Sequence, residues 1–197
     1  VGKRAGRSSP KQHHVSQLLV DYASQGARVV RLKSGDPGIF GRLEEEIVAL
    51  QAANIDFEII PGVTAASAAA AAAQIPLTRR HSARRVQFIT GHDVAGSLPE
   101  DINLAAIADP NCTTVVYMPK RTFPALAELL IANDISPQTP ALLAESVSTE
   151  NESLWRSTLA ELADHLKKDP GTAPGLILIG PLAERDGNYV GDSPEVS

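Results

Sequence analysis

The residues best suited to chemistry lie in two short glycine-bearing turns. Ser34-Gly35-Asp36-Pro37-Gly38-Ile39-Phe40-Gly41 places three glycines, a proline and one carboxylate directly after an apolar run. Glycine has no Cβ, so backbone N–H and C=O groups in such a turn can approach a ligand closely, with Asp36 adding a fixed charge. The same residues also suit an ordinary strand-to-helix turn in which Asp36 caps the helix. Pro61-Gly62-Val63-Thr64 is a second turn of this kind, with Thr64 or Ser67 as its N-cap. Two such turns at the ends of successive strands can face one crevice, the usual place for a small-molecule site. Neither G-x-x-x-x-G-K-[ST] nor G-x-G-x-x-G spacing occurs, so phosphate-loop and dinucleotide chemistry are set aside.

Other chemistries lack their residues. No G-x-S-x-G elbow, H-E-x-x-H helix or C-x-x-C pair is present, which removes support for triad hydrolysis and zinc catalysis. The five histidines do not converge, and no metal site is expected. Cys112, the single cysteine, has no disulfide partner, so a reducing cytoplasm is the expected compartment. A net charge of −5 argues against nucleic acid as a general partner. Basic residues nevertheless cluster at Lys3, Arg4 and Arg7, at Arg28, Arg31 and Lys33, and at Arg79, Arg80, Arg84 and Arg85. These clusters fit either solvated surface or local sites for an anion. The mild run around Ala65 to Ala73 is too short and too weakly apolar to span a bilayer, and no membrane partner is expected.

Strand and helix patterns alternate along the whole chain, which predicts a layered α/β protein with some parallel pairing. Residues 11–25 read as a helix with Val15, Leu18, Leu19 and Tyr22 on its inner face and Gly26 closing it. A strand ARVVRL precedes the first turn. A helix from about Arg42 to Ala53 directs Leu43, Ile47 and Leu50 inward and places Glu44, Glu45 and Glu46 near its positive end. Strand DFEII leads into the second turn and an alanine-rich helix from Thr64 to Ala73. Residues 74–85 read as a linker, so 1–82 form one lobe plus linker and 83–184 a second. That second lobe is expected to hold strand RVQFITG, a polar loop, strand TTVVYM, helix FPALAELLIAN, strand PALLAES, helix STLAELADHLKK and strand GLILIG. The tail 185–197 has too little apolar content to pack and is expected to be mobile.

VGKRAGR, RVVRLKSGDPGIFGR, PGVTAASAAAAAAQIPLT, FITGH and VVYM, in this order and spacing, resemble the S-adenosylmethionine-dependent tetrapyrrole methylases, and among them uroporphyrinogen III C-methyltransferase. The same module forms the methyltransferase half of siroheme synthase. The resemblance runs from Val1 to about Leu182. It implies a two-lobed α/β fold, usually a homodimer, with S-adenosylmethionine between the lobes and S-adenosylhomocysteine as product. Carried over by motif, Ser34, Gly35, Asp36 and Ile39 bind the cofactor, as do Thr64 and Ala65 from the second turn, Met118 from VVYM and Val147 from AESVS. Lys3 takes a proton-transfer role, and Arg31 and Arg42 line the substrate side. The implied reaction methylates uroporphyrinogen III at carbons 2 and 7 to give precorrin-2, on the way to siroheme or cobalamin. Guanidinium groups suit such a polycarboxylate.

The chain departs from the family pattern in three places. The usual G-G-D-P reads Ser34-Gly35-Asp36-Pro37, and no glycine stands near Val147. The family's opening strand, G-x-G-P-G-D loop and Y-D-R segment have no counterpart after Val1, so the first part of the N-terminal lobe is expected to be absent and this chain alone to be a poor catalyst. The alternatives are a sister enzyme, such as a precorrin-4 methyltransferase or a diphthine synthase, and a non-catalytic module that holds a tetrapyrrole or the cofactor.

Overall fold

The computed structural model describes residues 12–184, and the chain divides in sequence into two compact units, Val1–Ala65 and Ala66–Ser197. Lys3 and the tail 185–197 lie outside the described residues.

The first unit contains helices α1 (Gln12–Ser24) and α2 (Leu43–Ala52), packed against each other. Helix α1 ends as its sequence predicts: Gly26 adopts φ 81°, its N–H donates to the Ala23 carbonyl at 2.9 Å, and the Ala27 N–H reaches Tyr22 O at 3.1 Å. Val15 is buried, but Tyr22, expected on the inner face, is 55% exposed. Helix α2 packs on α1, and the apolar stripe of α1 loses cover before its last turn. In α2 the expected inward residues Leu43, Ile47 and Leu50 are only half-buried, and the buried residue is Glu46.

The two strands expected here, ARVVRL and DFEII, do not form. Residues 27–33 and 55–63 carry no strand ladder, since a strand needs a neighbour to take up its N–H and C=O groups and none of the described residues does so. Their apolar side chains are consequently exposed, including Val30 at 73%, Leu32 at 81%, Ile60 at 66% and Val63 at 69%.

The second unit is built on one five-stranded sheet: β1 (Arg85–Thr90), β2 (Cys112–Tyr117), β3 (Pro140–Glu145), β4 (Ser153–Thr158) and β5 (Gly175–Ile179), in spatial order β1-β2-β5-β3-β4. Strands β1 and β2 run parallel, joined by a crossover that contains the short helix α4 (Leu104–Ala108), and the other pairs are antiparallel. Helices α5 (Phe123–Ala132) and α6 (Leu159–Lys168) cover one face, where Phe123, Leu126, Leu130 and Leu162 meet Val116, Leu143 and Ile177. The opposite face carries Val115, Leu178 and Leu142 in one line across the sheet, all fully buried. Helix α3 (Ala65–Ala72) is tied to that face at both ends. The Ala66 N–H donates to Tyr117 Oη at 3.1 Å, and Arg156 NH2 donates to Ala73 O at 2.6 Å. Its buried Ala66, Ala69 and Ala70 suit such close packing.

Every strand expected in this unit is present, and α4, β4 and a short 3-10 turn at Pro181–Ala183 are added. The polar loop contains α4, capped by Asn103 Oδ1, which accepts from the Ala106 N–H at 3.0 Å. Strand β4 is not announced by the sequence; among the described residues it pairs only with β3, at the sheet edge, where a run such as SLWRST suffices.

Candidate cofactor site

The two glycine-bearing turns of the first unit meet, and Asp36 joins them. Its Oδ1 accepts from the Gly38 N–H at 2.8 Å within its own turn, while Oδ2 accepts from the Gly62 N–H in the other turn at 3.0 Å. The approach requires glycine. A Cβ on Gly62 would stand 2.4 Å from the Gly35 carbonyl oxygen, and Gly35 itself sits at φ +71°. The N–H of Ile39 donates to Asp36 O at 3.3 Å and closes the first turn. Ser34, Gly35, Asp36, Ile39, Thr64 and Ala65, all expected at one site, therefore lie on two turns joined by one carboxylate.

Lys33 closes the same loop from behind. Its ammonium donates to Gly41 O at 2.5 Å and to Glu46 Oε2 at 2.9 Å. Glu46 Oε1 accepts from Gln12 Nε2 at 3.1 Å and from Arg31 Nε at 3.3 Å. Burial pushes the Glu46 carboxyl up, but the hydrogen bonds from Lys33 and Gln12 and the charges of Lys33 and Arg31 outweigh it and hold the group below its usual value. Arg31 also donates to its neighbour's carbonyl, Leu32 O, at 2.6 Å. Arg42 stands in the left-handed region at φ 56° and grips Glu45 with two bonds of 2.7 Å. Both arginines are thus oriented by glutamates of α2. Lys33 and Glu46 escape a sequence reading because their partners are fixed only by the fold.

In the second unit, Met118 and Val147 follow β2 and β3, past the carboxyl ends of two interior strands at one end of the sheet. Met118 is 43% exposed at φ 54°, and its turn lies on Gly91 at the end of β1, where a Cβ would be 2.6 Å from Pro119 Cα. The Gly91 N–H donates to Tyr117 O at 2.7 Å. Val147 is half-buried between Ser146 and Ser148, which both have positive φ. The FITGH and VVYM motifs therefore share a boundary made by Gly91. Among the described residues, no group of histidine, cysteine and carboxylate side chains could hold a metal, and no helix is long and apolar enough to cross a membrane.

The turns that carry the family motifs are thus assembled within each unit, and comparison with known proteins extends the likeness to the whole fold. A siroheme synthase of Tolumonas auensis is 46% identical over 183 residues, covering 93% of this chain and 38% of that protein. One of Stutzerimonas stutzeri is 41% identical, again over 93% of this chain and 39% of its own length. The chain thus spans less than half the length of these relatives. Among solved structures, a cobalt precorrin-4 methyltransferase superposes with a TM-score of 0.78 at 26% identity, over 90% of this chain and 74% of the other. A uroporphyrin-III C-methyltransferase from Thermus thermophilus, complexed with S-adenosyl homocysteine, gives 0.74 at 31% identity, over 87% and 74%. The family described as tetrapyrrole (corrin/porphyrin) methylases matches residues 2–163, and with its motifs built into the turns at Gly35, Gly62 and Gly91, this chain belongs to that family.

Proposed function

We propose that this chain is the methyltransferase module of a siroheme-synthase-like protein, transferring methyl groups from S-adenosylmethionine to uroporphyrinogen III to give precorrin-2. The observation that carries the reading is the Asp36-joined pair of glycine turns, on the segments where the family motifs fall. Their fit to a nucleoside-like cofactor is physical. Gly35 and Gly62 bring main-chain polar groups to an open surface with no Cβ over them, and the exposed Ser34 adds a hydroxyl. We assign Ser34, Gly35, Asp36, Ile39, Thr64 and Ala65 as cofactor contacts of the first unit, and Met118 and Val147 as those of the second.

When bound, the cofactor supplies an electrophilic methyl group for direct displacement by a nucleophilic pyrrole carbon. The chain's part is to hold and orient. Fixed turns restrict the reacting groups to in-line geometry, the main source of acceleration for such a transfer. Arg31 and Arg42 offer guanidinium N–H groups to substrate carboxylates, with Glu46 and Glu45 setting their directions. Lys3 is assigned the proton-transfer role. The identities of 46% and 41% to siroheme synthases, against 26% to the cobalt precorrin-4 enzyme, support uroporphyrinogen III as substrate. A homodimer in a reducing cytoplasm belongs to the same reading, the latter supported by one buried, unpaired thiol at Cys112.

The test is methyl transfer from labelled S-adenosylmethionine to uroporphyrinogen III or precorrin-4, with products resolved by mass. Label in neither tetrapyrrole, from the module within its whole siroheme-synthase-like protein and with S-adenosylhomocysteine bound, would make this a binding module. Arg31→Leu and Arg42→Leu are expected to slow turnover and spare cofactor affinity; equal loss of both would refute the division of roles.

A further inference from the structure

Lys120 is buried to 9% exposure at the end of the sheet that carries Met118 and Val147, and no motif accounts for it. Strand register explains its surroundings. Tyr117 of β2 pairs with Leu176 of β5, and Glu145 of β3 pairs with Gly175, so the carboxyl ends of β2 and β3 flank the start of β5. Across that start, the Lys120 ammonium bonds to Glu145 Oε1 and donates to Ala173 O at 3.1 Å. Space is cleared for the pair. A Cβ on Gly175 would lie 3.3 Å from both Lys120 Cδ and Glu145 Cγ, and one on Gly171 would lie 3.1 Å from Lys120 Nζ. The Ser146 N–H donates to Pro174 O at 2.9 Å and joins the segment after β3 to the one before β5.

The adjoining turns need such support. Met118, Ser146 and Ser148 are non-glycine residues at φ 54°, 48° and 63°, and conformations of this kind persist only where the surroundings enforce them. The Lys120 charge is answered by Glu145, so recruitment of an anion is not its task. We propose that Lys120 and Glu145 are positioning residues, a partly buried ionic clamp that sets the Met118 and Val147 turns for cofactor binding. The inference rests on the reading that these turns contact S-adenosylmethionine.

Calorimetric titration of the full chain with S-adenosylhomocysteine, beside its melting temperature, tests the clamp. Lys120→Met and Glu145→Gln are expected to weaken binding by about tenfold or more, the usual effect of loosening the support behind ligand-contacting groups. Lys120→Arg retains a cation for both partners and is expected to keep affinity near that of the parent. If the single variants fail to fold, the double variant Lys120→Met with Glu145→Leu serves, because apolar replacement of a whole buried pair commonly preserves stability. It is expected to fold and to bind weakly. Leu162→Ala, in the core under α6, is expected to lower the melting temperature without altering affinity, separating positioning from general destabilisation. Parent-like affinity in Lys120→Met, or in a folded double variant, overturns the clamp and leaves the cofactor reading intact. No binding by the parent chain overturns both.

Discussion

Asp36 shows how one side chain can matter to a site through the backbone it holds. Both carboxylate oxygens are taken by N–H groups, Gly38 on one and Gly62 on the other, so its first contribution is to fix the two turns relative to each other. Asp36→Asn keeps one acceptor and turns an amide N–H toward the second backbone donor. That exchange leaves one hydrogen bond unmade, about 1.4 kcal/mol, and calorimetry is expected to show about tenfold weaker S-adenosylhomocysteine binding; unchanged affinity would move the site elsewhere. Glu46 carries the pH dependence of the same region. Its folded value is depressed, so its stabilisation is present above its unfolded value, near 4.5, and is lost as pH falls through the folded value. Glu46→Gln leaves Lys33 and Arg31 without their shared counter-ion and should lower stability at neutral pH by denaturant titration. The gap between parent and variant should close on acidification through that window; a pH-independent gap would show that charge is not the cause. A sequence reading found Asp36 because a lone carboxylate in a glycine-rich turn stands out. It missed Glu46, because a helix with Leu43, Ile47 and Leu50 on it gives no reason to bury a glutamate.

Glycine at position 62 marks where two elements approach more closely than any side chain permits. Gly62→Ala would place a Cβ 2.4 Å from the Gly35 carbonyl, so one turn must retreat. A shift near 1 Å is enough to cost about a hundredfold in rate where reacting groups must be aligned. Placed in the whole siroheme-synthase-like protein, this variant is expected to melt close to the parent yet lose most methyl transfer, read as a fall in kcat/KM; full turnover would mean that the spacing of the turns is not functional. Legibility in the sequence followed how much each element specifies by itself. The runs TTVVY, ALLA and LILI announce β2, β3 and β5 because strands buried on both faces are continuously apolar. Helix α6 is announced by its capping box, Thr158 with Glu161, and by its apolar period. Edge strand β4 escaped because one neighbour and a half-exposed surface select no such composition. The Lys120–Glu145 contact, 25 residues apart in sequence, exists only because β5 runs antiparallel between β2 and β3.

At the scale of the whole chain, composition and patterning are unevenly satisfied. In the second unit apolar runs become a sheet covered on both faces, with Leu142, Ile177 and Leu178 fully buried. In the first, the equally strand-like ARVVRL and DFEII remain extended without a ladder among the described residues. Hydrophobic alternation states that a segment suits a strand; only a partner's backbone makes it one. Val30, Leu32, Ile60 and Val63 are each more than 60% exposed, and among the described residues their segments have no strand beside them to pair their backbone. Such a combination is a template for strand addition from another molecule. The chain of residues 1–197 is therefore expected to self-associate as its concentration rises, and to enhance the fluorescence of a dye that binds apolar surface. Its net charge of −5 opposes association only at long range and is screened within about 10 Å at 0.1 M salt. Added salt should thus favour the associated form. Leu32→Lys combined with Ile60→Lys puts charge on both unpaired segments and is expected to reduce association and dye binding together, without altering the melting of the second unit. Sedimentation velocity over a range of concentrations decides the point: a parent chain that goes no further than a dimer and binds no dye would mean that these two segments are covered in solution.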